Sequence, residues 1–143
     1  LRPDFFAMAR RHVGWIAGNE LAMQRTLNLS IQYPADDSSL LPLHSDVWSG
    51  NSPYEVVLWV PLVDCYRTKS MYVLPRRHSD KIFREFPRYS SFNAEELYKS
   101  IKPKLVWLDV PYGQAVLFTH SLLHGNRVNG DGCSSACKVE VPN

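Results

Sequence analysis

The sequence predicts a mainly β fold, a sandwich or barrel of about seven short strands separated by turn signals. Three observations point there. Residues 26–33 alternate, with Leu27, Leu29, Ile31 and Tyr33 on one face and Asn28, Ser30 and Gln32 on the other. Residues 54–62 form a β-rich run long enough for a central strand, with Pro61 near its end. Ten Pro and seven Gly spread over 143 residues favour short elements over long ones.

The remaining elements follow in order. Phe5, Met8, Ala9, His12, Val13 and Ile16 recur at helical spacing, which predicts an N-terminal helix over 4–17 that stops at Gly18-Asn19. Short strands are expected over 40–46, 68–74, 104–110 and 115–120, with another near the end. Residues 76–103 break the β pattern: they are basic and aromatic, and one helix stands out at 94–101. Asn93 is a good N-cap for it, and Glu96 completes a capping-box start.

Composition narrows the function classes. A chain that is 45% hydrophobic and 21% charged folds as a globule, and 143 residues suit one domain. The net charge of +2 gives no support to a nucleic-acid or acidic-membrane partner. No apolar run is long enough to span a bilayer, and the N-terminus has no signal-peptide pattern. Cys65, Cys133 and Cys137 cannot all pair, which reads as a reducing, cytoplasmic setting. Without an initiator Met, the expectation is one domain over 1–143, incomplete at one or both ends.

Five histidines are present. His12 and His78 lie beside arginines and read as surface residues. His44-Ser45-Asp46 is different, because residues i and i+2 of a strand share a face, so an imidazole and a carboxylate converge. A second His from a distant strand would complete two His and one carboxylate. That set leaves metal positions open and suits non-haem Fe(II) oxygenases. Downstream, His120 and His124 are the candidates, in Phe118-Thr119-His120-Ser121-Leu122-Leu123-His124-Gly125-Asn126.

The ordered runs Leu29 to Pro34, Leu43 to Asp46, Ser52 to Asp64, Thr68 to Pro75, Gly113 to Phe118 and Leu123 to Asn126 resemble the phytanoyl-CoA dioxygenase superfamily, and within it the branch of carbohydrate and aminoglycoside clusters. The resemblance covers residues 19–129. It implies a double-stranded β-helix, a cupin-like jelly roll, with an N-terminal helix and a helical insertion. It also implies Fe(II) held by His44, Asp46 and His124, with the His before Gly preferred over His120. The implied reaction hydroxylates a small, sugar-derived or anionic metabolite with 2-oxoglutarate and O2, giving succinate and CO2. Gln32, Trp59, Asn126 and Lys69 are the implied cosubstrate contacts. Residues 76–103 are the expected lid, and their Arg76, Arg77, Lys81, Arg84 and Arg88 suit an anionic substrate.

One departure stands out. The resemblance implies an Arg roughly ten residues past the distal His, whose planar fork pairs with the far carboxylate of 2-oxoglutarate. Residues 134–136 hold none, and Arg127 is the only Arg after His124. A cupin-like metal enzyme without 2-oxoglutarate and a non-catalytic jelly-roll sugar-binding module are the rival readings.

Overall fold

The computed structural model describes residues 1–32, 40–67 and 70–127. The N-terminal helix α1 (Arg2–Ala17) forms as its spacing predicts. Gly18 ends it at φ 91°, a backbone angle that a residue with a Cβ adopts at a cost. Only Ala9 of α1 is buried. Five strands follow among the described residues: β1 (Val56–Trp59), β2 (Tyr72–Val73), β3 (Val106–Trp107), β4 (Val116–Thr119) and β5 (His124–Gly125). Between β2 and β3 lie α2 (Arg76–Arg84), α3 (Phe86–Tyr89) and α4 (Ala94–Ile101).

The mainly β expectation is overturned. Among the described residues, helix accounts for 38% and strand for 14%, in antiparallel sheets of two and three strands. No double-stranded β-helix or jelly roll is built from these elements. β1 pairs with β4, Val56 facing Thr119 and Trp59 facing Val116. The other sheet runs β3-β2-β5, with Val73 facing His124.

The excess of predicted strand has physical causes. Residues 26–32 alternate correctly but form no strand, and Leu29 and Ile31 stay exposed. Alternation gives a segment two faces; a strand also needs a neighbour to take its backbone hydrogen bonds. Of residues 40–46, only His44 pairs, and Asp46–Ser49 coil into a short 3-10 turn. The expected strands over 54–62, 104–110 and 115–120 survive as shorter cores, and that over 68–74 as Tyr72–Val73. The expected strand near the end lies outside the described residues.

The basic segment 76–103 holds three helices where one was expected. Helix α4 has the predicted bounds, and its capping box is complete: the Asn93 side chain accepts from the Glu96 N–H, and Glu96 Oε2 accepts from the Asn93 N–H, both at 2.9 Å. Its buried Leu97, Tyr98 and Ile101 lie three and four residues apart, so they form one stripe. That stripe meets Leu43, Tyr72, Leu74, Ile82 and Leu123 in the core.

This core sits directly behind the histidines. Leu123 is fully buried, and its carbonyl accepts from the Leu74 N–H at 2.8 Å. Ser79, buried on α2, donates to the Leu74 carbonyl at 2.9 Å and accepts from the Leu123 N–H at 3.3 Å. Helix and sheet are therefore tied together one residue before His124.

Candidate metal centre

His44 and His124 face each other across an antiparallel bridge. Each donates its N–H to the other's carbonyl at 2.9 Å. The main chain thus fixes the spacing of the two imidazoles, whose centroids lie 4.4 Å apart. Two residues on, the Asn126 N–H donates to the Leu41 carbonyl, and its side-chain oxygen accepts from the Leu41 N–H. Gly125, between them, lets the backbone come close: a Cβ there would meet the Tyr72 hydroxyl at 2.6 Å and the Leu41 carbonyl at 2.9 Å.

Asp46 opens the 3-10 turn that follows, and Gly50 closes it in the left-handed conformation (φ 92°). The buried Ser45 donates its hydroxyl to the His120 carbonyl at 2.8 Å, and the Val47 N–H reaches the same carbonyl at 3.4 Å. Asp46 is therefore pinned on both sides. Its Oδ1 lies 3.5 Å from His44 Nε2, and its Oδ2 lies 3.8 Å from His124 Nε2.

The tautomers follow from hydrogen bonding. His44 Nδ1 lies 2.7 Å from the Pro42 carbonyl, and His124 Nδ1 lies 2.8 Å from the Leu122 carbonyl. A carbonyl only accepts, so each Nδ1 carries a proton, and in the neutral ring each Nε2 presents a lone pair. Burial holds the His124 pKa below its usual value; the Leu122 carbonyl opposes this, and neighbouring His44 adds to it. His124 therefore keeps its lone pair at a lower pH than a free imidazole does.

Two imidazole lone pairs and a carboxylate converge here with no donor among them. The distances exceed the ~2.7–3.2 Å of an N–H···O bond. They match the spacing of donors around one ion: with bonds of ~2.0–2.2 Å, ligand atoms stand about 3.0–4.4 Å apart. The three ligand atoms all lie within 4.8 Å of one another, so the set fits a single divalent cation. The residue types, borderline nitrogens plus one hard oxygen, suit a first-row transition metal.

The other expected contacts divide. Asn126 is beside the site, but its side-chain oxygen is used on Leu41. Trp59 is half-buried at the end of β1 away from the Val56–Thr119 pair, about 10 Å along the strand from Val56. Gln32 is exposed on a segment that forms no strand, so it is not brought to an interior face. Lys69 lies outside the described residues. Arg127 pairs with Glu95 of α4, and its guanidinium stacks over the Tyr98 ring at 4.6 Å. That pairing holds the Glu95 pKa below and the Arg127 pKa above their usual values.

Two site residues escaped the sequence reading. His120, weighed only as a rival to His124, has its Nδ1 3.7 Å from Asp46 Oδ2 and 3.4 Å from Glu55 Oε2. The β1–β4 register brings Glu55 there, because Val56 faces Thr119. A cavity of about 560 Å³ opens alongside, lined by Val47, Pro53, Arg76, Asp80, Phe83, Arg84 and Ser121. Val47 and Ser121 are the chain neighbours of Asp46 and His120.

No family model matches this chain, and no curated protein or solved structure does either. Among the described residues, no helix is long and apolar enough to cross a membrane.

Proposed function

We propose that the protein is an Fe(II)-dependent oxygenase that uses 2-oxoglutarate and O2 to hydroxylate a small anionic metabolite. The observation that carries this reading is the convergence of two Nε2 lone pairs and one carboxylate with no donor between them. Such a set is repulsive until a cation occupies it, and two His with one carboxylate on one side leave positions for cosubstrate and oxygen. The order of motifs, similar to that of the phytanoyl-CoA dioxygenase superfamily, supports the choice of chemistry; the jelly roll of that superfamily is not carried over.

When bound, Fe(II) supplies the redox chemistry that couples decarboxylation of 2-oxoglutarate to oxidation of a substrate C–H bond. The chain's own part is positional. His44 and His124 hold their nitrogens at a spacing set by the main chain, and Asp46 supplies the negative charge. Phe118 packs edge-on against the His124 ring, 4.9 Å between centroids, and shields it.

The adjoining cavity supports an anionic substrate. Arg76 pairs with Asp80, whereas Arg84 makes no ion pair among the described residues. Its guanidinium is available for a phosphate or carboxylate, with Phe83 as an apolar floor. Three cysteines, which cannot all pair with one another, suit a cytoplasmic setting.

A second reading, a metal enzyme that does not use 2-oxoglutarate, is favoured by the engagement of Arg127 with Glu95 and Tyr98. One experiment separates the two. Anaerobic protein is loaded with Fe(II), then given 2-oxoglutarate and O2, and succinate is measured. Succinate formation that disappears in Asp46→Ala and His124→Ala is expected. Fe(II) binding with no succinate would support the second reading. No binding of Fe(II) by the unaltered chain would overturn both.

A further inference from the structure

We propose that His120 is a positioning residue for Asp46, holding the carboxylate so that one oxygen faces the ion between His44 and His124. The proposal rests on the metal reading above and deepens it. Three features lead to it. The His120 carbonyl accepts from both Ser45 and Val47, the two residues that flank Asp46. Its ring Nδ1 lies 3.7 Å from Asp46 Oδ2, the oxygen that also stands 3.8 Å from His124 Nε2, while Oδ1 is the one nearest His44. That same Nδ1 is buried without a hydrogen bond, although two carboxylates stand within 4 Å.

A buried ring N–H with no acceptor costs free energy, so its place beside two carboxylates needs a reason. A shift of Asp46 toward His120 that closes the 3.7 Å gap to hydrogen-bond distance would give Oδ2 an N–H donor and leave Oδ1 to the imidazole pair. A ligating carboxylate held in this way is pre-aimed. Loss of such an outer partner typically weakens metal binding by about 10–100-fold. Glu55 Oε2 stands 3.4 Å from the same nitrogen and competes for its one proton; the Glu55 side chain is 53% exposed and open to water, whereas that of Asp46 is 22% exposed and has the greater need of the bond.

His120 is set apart from the ligands by geometry. The described set whose donor atoms lie mutually within 4.8 Å is His44, Asp46 and His124, without His120. Its effect on the ion therefore runs through Asp46.

Co(II) serves as the probe, because its visible absorption reports both affinity and ligand geometry. The unaltered chain, His120→Ala, His120→Asn and His124→Ala are titrated with Co(II) alone. His120→Ala is expected to bind about 10–100-fold more weakly with an altered spectrum. His120→Asn, whose amide N–H stands where Nδ1–H was, should recover most of the affinity and the original spectrum. The main-chain bonds to Ser45 and Val47 persist in both variants, so a purely structural role would not separate them. Equal Co(II) affinity in His120→Ala and the unaltered chain, or equal weakening in Ala and Asn, would overturn the proposal while leaving the metal centre standing. A binding-competent His124→Ala with a lost His120→Ala would make His120 a ligand and overturn it too. Absence of Co(II) binding in the unaltered chain would remove the metal centre and this proposal together.

Discussion

The three-stranded sheet and the two-stranded ribbon spend their apolar residues differently. In the sheet, Tyr72 of β2 and both residues of β5 are buried, with Leu74 and Leu123 fully enclosed beside them. In the ribbon, every residue of β1 and β4 is half-buried. The helices divide in the same way: α4 buries a stripe of three large side chains, and α1 buries only Ala9 while Trp15 and Ile16 face solvent. The candidate metal centre spans the two regions. His124 grows from the packed sheet, and His120 and Glu55 from the ends of the ribbon. Tight packing behind His124 and a looser element beside it give a candidate site whose nitrogens are fixed and which adjoins the cavity lined by Val47 and Ser121.

Three substitutions test that contrast. Leu123→Ala removes a fully enclosed side chain next to His124 and should cost about 2–5 kcal/mol, measured by urea unfolding. A loss under about 1 kcal/mol would mean that the sheet is no better packed than the ribbon. Asn93→Ala deletes half of the capping box of α4 and should cost about 1 kcal/mol by the same measurement. An unchanged midpoint would show that α4 is held by its buried stripe alone. Trp15→Ala, on the exposed side, removes a ring that is 70% exposed and stacks with Arg11 and His12, and should change stability by less than about 0.5 kcal/mol. A large loss there would place α1 with the packed half of the molecule.

The contrast also separates what the sequence discloses from what it withholds. The capping box of α4 is legible because its residues lie three apart and its bonds close locally. The convergence of His44, Asp46 and His124 is legible in part: His-x-Asp brings two ligating side chains together over a short range, whereas the residues alone leave His120 and His124 open and only the family resemblance points to His124. Residues 26–32 mislead because alternation says which side chains share a face and nothing about whether a partner strand exists. The extent of strand is overestimated throughout for that reason, and with it the fold class. The roles of His120 and Glu55 are invisible, since 65 positions separate them and only the register of β1 on β4 brings them together. Gln32 is left without the interior face expected for it, because residues 26–32 form no strand.

The reciprocal main-chain pair between His44 and His124 has a consequence for how an ion would leave. Both nitrogens ride on one closed ring of two hydrogen bonds, so neither can swing away alone by main-chain movement without breaking that ring. Release through main-chain opening is then a single concerted event whose frequency is set by the breathing of the sheet edge. The amide protons of these two residues would exchange with solvent in step, and the lifetime of a bound ion would track that shared rate.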